Sequence, residues 1–486
     1  MFFFDSAFEC LSVLLGGIPI DHLQCIFSIL FTYPLALMYR KLPNNPTIKH
    51  LFSLMATSFL FIIVGNQFGG ALHILIGCTI PYLISLFVKG SLGPKITFAF
   101  TMAHMAYTHI YRQIYDYGGY TMDHSGPQMI MAIKMTSFAW SVYDGTKPEE
   151  NLSEYQKSKA IRQFPSFLEY LGYIFYFGSF GVGPPIEFAD YRQFTTLEIF
   201  KVDNSERLAI PDGLPSGLRC LASGIIYLAF TVFVSPHYPI QYCLTPEYRA
   251  KSFFYRFSYI NIVSLMNRFK YYSVWHMAEG ACIVSGLGFN GYKQGKPQWN
   301  RVSNVDVIGY EAAQSTKTLL DAWNIGTNRW LKNYVYLRIT PPGTKPTSMA
   351  TLATFGVSAF WHGFYPGYYM MFLSASMVSG VAAKMRKTVR PYFLQPDMKT
   401  PTSGKVVYDL LSWFATQTTI NYLTMSFLIL SFKESIIIWS ANYFIGHVII
   451  LSMMAFFALA RPKPWSQAPK PTHTVSRPIH LTKKFE

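Results

Sequence analysis

The chain has 486 residues, of which 51% are hydrophobic, 17% aromatic and 14% charged, with a formal net charge of +16. A soluble globular domain carries about 25% charged residues, so this composition excludes a soluble enzyme and indicates a chain built into a membrane. The positive charge sits in loops and near helix ends, with no basic face interleaved with exposed aromatics. Anionic headgroups and positive-inside topology account for it, and nucleic acid is not expected as a partner.

Hydropathy predicts an all-α integral membrane protein with about eleven membrane-associated segments, each spanning or nearly spanning ~30 Å of hydrocarbon. Their cores are Leu23–Tyr39, Ile48–Gly65, Gly70–Val88, Ile96–Ile110, Met129–Val142, Phe167–Val182, Leu218–Val234, Phe253–Phe289 (long and interrupted), Thr351–Ala382, Val406–Leu430 and Ile436–Ala460. The N-terminus starts apolar without a basic leader, so the first span is expected to do the targeting. Residues 1–460 read as one multi-spanning domain and 461–486 as a basic, Pro-rich, disordered cytosolic tail. The six cysteines are scattered, with no CxxC and no zinc spacing. They read as small buried hydrophobes, and no metal is expected.

Along the chain, His104 and His109 lie in an apolar run and read as packing or interfacial histidines. Asp116 to Pro127 is polar and turn-rich. The run Met129–Val142 carries Lys134 and is closed by Asp144-Gly145. It reads as a re-entrant or cavity-lining helix, or as a short interfacial one. Thr146 to Phe164 is charged and expected in solvent. Gly181 to Pro185 breaks the next segment and is followed by Glu187-Phe188-Ala189-Asp190-Tyr191.

In Phe253–Phe289, Tyr272, His276 and Glu279 share one helical face at i, i+4 and i+7. A Glu in such a segment needs a partner or a wet cavity, so Glu279 is either a functional candidate or half of a structural ion pair. Phe289 to Pro346 is the most polar long stretch. It contains Trp299, Asn304 and Leu320-Asp321-Ala322-Trp323-Asn324-Ile325-Gly326-Thr327-Asn328-Arg329-Trp330, and is expected at the interface or folded back into the protein.

The run from Ala350 to Ala383 holds Ser358-Ala359-Phe360-Trp361-His362-Gly363. A histidine there is poorly solvated, and its near-neutral pKa suits proton transfer. The alternative reading is a hydrogen-bonded packing histidine. The chain ends Lys483-Lys484-Phe485-Glu486, which looks like a dilysine signal for retrieval to the endoplasmic reticulum, with a chance basic tail as the alternative.

Several motifs agree in order: Asp144-Gly145, the Glu187–Tyr191 run, Gly288-Phe289-Asn290-Gly291-Tyr292, Trp299-Asn300-Arg301 with Asn304-Val305-Asp306, Trp323-Asn324 with Thr327–Lys332, and Ser358–Gly363. Together they resemble the membrane-bound O-acyltransferases, most nearly the lysophospholipid acyltransferase branch, over almost the whole chain. The resemblance implies helices around a catalytic chamber with His362 and Asn324 as its catalytic pair, Asn328 being the nearby competitor for the Asn role. It implies acyl-CoA as co-substrate, a lysophospholipid acceptor from the bilayer, no bound cofactor, and an endoplasmic reticulum membrane location. His362 would take the acceptor hydroxyl proton. Asn324 would orient the imidazole or stabilise the oxyanion. Asp144, Glu279, Trp299, Asn304, Asn328 and Trp361 are expected to line or position the substrates. The competing readings are an enzyme of the same fold acting on a sterol, diacylglycerol or protein, and a transporter. A transporter should show paired broken helices in two related halves, which the sequence lacks.

Overall fold

The computed structural model describes residues 4–119, 121–201, 210–341, 343–345 and 347–460. The basic tail and its dilysine lie outside the described residues. The chain is mostly helical, and the only strands among the described residues are the two-residue pair Tyr292–Lys293 and Lys296–Pro297.

Among the described residues, four helices are long and apolar enough to cross a membrane: Ile20–Arg40, Pro46–Val64, Phe68–Phe87 and Leu214–Leu244. A fifth crossing is available if Phe432–Ala441 and Ile445–Leu459, bent by 83°, act as one span. This is fewer than the eleven segments expected from hydropathy. Phe167–Val182 shows one reason. Only Phe167–Ile174 is helical, and the run buries Tyr170, Tyr173 and Tyr176 completely in the protein core. An apolar run built to pack against other helices cannot be told from a span by hydropathy alone.

Ser125–Gly145 is the central element. It is one continuous 21-residue helix, buried along nearly its whole length. Several polar side chains within it are satisfied by protein groups: Thr136 and Ser137 donate to main-chain carbonyls one turn back, and Gln128 bonds to His104. Lys134, fully buried, donates to the carbonyls of Tyr173 and Ile174 and to Ser179 Oγ at 2.8–3.1 Å. An ammonium in such a place requires this full set of acceptors.

Phe253–Ser285 is a single 33-residue helix, without the interruption expected from its polar residues. Those residues are spent on contacts. Arg268 grips the Glu311 carboxylate at 2.8 and 2.9 Å and reaches Asn421 Oδ1 at 2.6 Å, while the Tyr272 hydroxyl donates to Glu311 at 2.7 Å. This network joins three segments distant in sequence: Phe253–Ser285, Val307–Glu311 and Lys405–Ile429. The polar stretch after residue 289 does fold back into the protein, burying Asn304, Trp330 and Tyr334. Of the six cysteines, all free, Cys78, Cys243 and Cys282 are buried, Cys25 and Cys220 are half-buried, and Cys10 is exposed. The expectation of uniformly buried thiols therefore holds for only half of them.

Candidate active site

The run Thr351–Ala382, expected as one segment, is two helices, Ser348–His362 and Pro366–Thr388. His362 is the last residue of the first. The break follows from Gly363, whose backbone at φ +122°, ψ −162° is closed to residues with a Cβ. A Cβ there would also meet the His109 ring at 3.4 Å.

His362 Nδ1 lies 2.7 Å from the Ser358 carbonyl oxygen, one turn back. A carbonyl only accepts, so Nδ1 carries the proton and the neutral ring holds its lone pair on Nε2. Aromatic rings fix the imidazole plane: Trp361 edge-on at 4.7 Å, Phe372 at 4.9 Å and Phe427 at 5.2 Å between centroids. Trp361 is itself anchored. Its indole N–H donates to the Met129 carbonyl at 3.0 Å, and it packs against Trp330. It serves as a scaffold for His362 rather than as an open lining residue.

His109, read from sequence as packing, belongs to this assembly. It is buried, and its Nε2 donates to the Trp361 carbonyl at 3.1 Å. No local pattern distinguishes it from His104, which stacks on the His73 ring at 4.0 Å elsewhere. Only the folded chain brings the helix Leu92–Tyr115 against Gly363.

Asn324 precedes the helix Ile325–Trp330 with a left-handed backbone (φ 42°, ψ 55°), a conformation that Asn tolerates better than most side chains. Its side chain is half-buried and makes no hydrogen bond to another described residue. Asn304 holds the segment in place. Its carbonyl accepts from Ile325 N at 2.8 Å, and its Oδ1 accepts from Gly326 N at 3.1 Å. Gly326 permits this approach, since a Cβ there would stand 2.5 Å from Pro185 and 3.1 Å from Asn304 Oδ1. Asn328 instead faces Asp321, at 3.4 Å. Of the two competing asparagines, Asn324 is the one with an unengaged amide. No hydrogen bond joins Asn324 to His362 among the described residues. Trp323 and Met371, the neighbour of Phe372, pack against the same buried cluster of Tyr310, Leu319, Ala322 and Ile420, and the helix Thr316–Ala322 just before Asn324 touches Pro366–Thr388, the helix that backs His362.

The other sequence candidates separate into two groups. Asp144 is buried and doubly bonded by Arg338, at 2.8 and 2.5 Å, with the guanidinium 4.3 Å from the Trp140 ring centroid. Both carboxylate oxygens are occupied by the Arg338 guanidinium. Glu279 and Trp299 share a cavity with Ser303, whose hydroxyl donates to the Glu279 carboxylate. Tyr155 and Tyr334 donate to Glu187 at 2.7 and 2.9 Å. Burial holds the Glu187 carboxyl above the ordinary carboxylate range, against the lowering effect of Lys159.

Residues 110–425 match the description of the MBOAT, membrane-bound O-acyltransferase family. The chain belongs to the membrane-bound O-acyltransferase family. It is an acyltransferase, and a multi-pass membrane protein. Among its relatives, a Schizosaccharomyces pombe protein named lysophospholipid acyltransferase is 41% identical over 93% of this chain and 89% of its own length. A Saccharomyces cerevisiae protein of the same name is 35% identical over 92% of this chain and 75% of its own. A human protein named membrane-bound glycerophospholipid O-acyltransferase 2 is 31% identical over 96% of this chain and 90% of its own. In this membrane-bound O-acyltransferase the matched region takes in the Asn324 segment, the Ser358–His362 turn and His109's partner surface; His109 itself falls one residue before it.

Proposed function

We propose that this membrane-bound O-acyltransferase moves an acyl chain from acyl-CoA to the free hydroxyl of a lysophospholipid, remaking a two-chain phospholipid and releasing CoA. The likeness to relatives of that name supports the acceptor class. The observation that carries the mechanism is the His362–Ser358 hydrogen bond, which turns Nε2 into the acceptor of a proton.

In this mechanism Nε2 takes the hydroxyl proton as the acceptor oxygen attacks the thioester carbonyl. The tetrahedral oxyanion is met by the unengaged Asn324 amide. Since His362 is already oriented by Ser358 and its ring neighbours, the oxyanion role for Asn324 is favoured over an orienting one. The carbon–sulfur bond then breaks, and the thiolate leaves with the proton that the imidazolium returns. No acyl-enzyme forms, and a dry aromatic surround suppresses hydrolysis of the thioester.

The remaining helices, short or polar by hydropathy, complete the membrane-embedded chamber alongside the clear spans. The enzyme works in the endoplasmic reticulum membrane, with the basic segment after residue 460 in the cytosol, where acyl-CoA is made available; the excess of Lys and Arg in that segment supports this orientation. The test is acyl transfer in membranes carrying the chain or His362→Ala at equal abundance, with labelled acyl-CoA and a panel of lysophospholipids. Transfer that needs His362 supports the reading. No transfer to any lysophospholipid overturns the acceptor, and transfer that survives in the variant overturns the role of His362.

A further inference from the structure

Three carboxylates are fully buried among the described residues: Asp144, Asp190 and Glu279. Asp144 is paired with Arg338, and Asp190 with Lys159 and Arg301. Glu279, only 6% exposed, has no cation within ion-pairing distance among the described residues. Its hydrogen bonds come from neutral groups, the Ser303 hydroxyl and the Asn304 backbone N–H. A buried carboxylate without a cation is costly unless it takes up a proton or a charge arrives from outside.

Glu279 opens onto a cavity of about 360 Å³ between the helices Leu214–Ala229 and Phe253–Ser285 and the loop 297–303. That volume lies within the usual range of small-ligand sites, roughly 300–1,000 Å³. The Trp299 indole forms part of the wall, half-buried, its ring seated against Phe289 and the bare backbone of Gly213. Arg219 is exposed on the same wall and forms no ion pair with a described residue. The cavity therefore offers an unpaired anion, an aromatic ring and an unpaired guanidinium. An ammonium suits the first two, through charge and cation–π attraction, and a phosphate suits the third.

We propose that this cavity is the headgroup subsite for zwitterionic lysophospholipids, with Glu279 and Trp299 holding the ammonium of a phosphocholine or phosphoethanolamine group and Arg219 its phosphate. The proposal rests on the acceptor reading above and adds a headgroup preference to it. The wall adjoins the catalytic segment, because Ser303 is followed by Asn304, which holds the backbone beside Asn324. A headgroup bound here is tethered through its glycerol to a hydroxyl on the reacting side.

The experiment compares purified full-length chain with Glu279→Gln and Trp299→Leu, using one acyl-CoA and four acceptors: the lysophospholipids of choline, ethanolamine and inositol, and lysophosphatidic acid. The expected result is a fall of about tenfold in kcat/KM for choline and ethanolamine relative to the other two, carried by KM. Both variants should shift this ratio in the same direction, and thermal unfolding shows which of them fold. A ratio unchanged in either folded variant, with losses equal across all four acceptors, overturns the headgroup subsite. A wild-type chain that acylates none of the four removes the acceptor reading, and the headgroup proposal with it.

Discussion

His109 and Trp361 are joined by a hydrogen bond of 3.1 Å from an imidazole N–H to a main-chain carbonyl, across 252 positions of sequence. The carbonyl belongs to the residue directly before His362, so the bond fixes the end of the helix that presents the base. His109→Ala leaves a buried carbonyl without its donor, at about 1–3 kcal/mol. The expected outcome is a kcat about tenfold lower, with KM for the lysophospholipid little changed. His109→Gln, which keeps a donor, should recover part of the loss. Steady-state kinetics on the two variants check this.

His362 sits at a helix end, so its loss affects chemistry far more than folding. His362→Ala and His362→Gln are expected to lower kcat by about 10²–10⁴-fold, the range for removing a general base. The unfolding temperature in detergent should stay close to that of the parent. Matched kinetics and thermal unfolding of the two variants provide the check.

Gly363→Ala tests the break between the helices. The backbone at φ +122° is strained for any side chain, at about 1–3 kcal/mol, and the new Cβ would rest in contact with the His109 ring. Activity should fall with stability, in contrast to His362→Ala. A thermal unfolding scan beside an activity assay separates the two patterns.

The two asparagines give opposite expectations. Among the described residues the Asn324 side chain has no partner to lose, so Asn324→Ala should cost stability only through its left-handed backbone, about 1–2 kcal/mol, while kcat falls about 10²–10³-fold, the cost of removing one oxyanion donor. Asn328→Ala should lose little, since its amide faces Asp321. Asn304→Ala should damage both activity and stability, because it frees the Gly326 amide. Equal effects at 324 and 328 would reassign the oxyanion donor.

Asp144→Asn breaks a buried, doubly bonded pair and leaves the Arg338 guanidinium uncompensated, which costs about 3–5 kcal/mol. The expected result is a lower yield of folded protein with kcat/KM per folded molecule retained. Active-site titration alongside size-exclusion chromatography measures both quantities.

Composition alone determined that the chain lives in a membrane, because 14% charged residues cannot solvate a body of this size. Residue type and setting made two candidates visible, an imidazole in an apolar run at His362 and an amide at Asn324 in a polar stretch rich in tryptophan and asparagine, and the resemblance of the ordered motifs to the membrane-bound O-acyltransferases paired them. These signals are local, so they survive in the linear chain. Which apolar runs cross the bilayer was decided by packing. Phe167–Val182 and Ser125–Gly145 are apolar because they touch other helices, and hydropathy cannot tell a helical neighbour from lipid. The division of the polar residues was likewise tertiary. Asp144 found Arg338, Asn304 found Gly326 and His109 found Trp361, while Glu279 found no cation among the described residues. Each of those partners lies too far along the chain for any periodicity to register, so only the fold could separate a structural charge from one left open for a ligand.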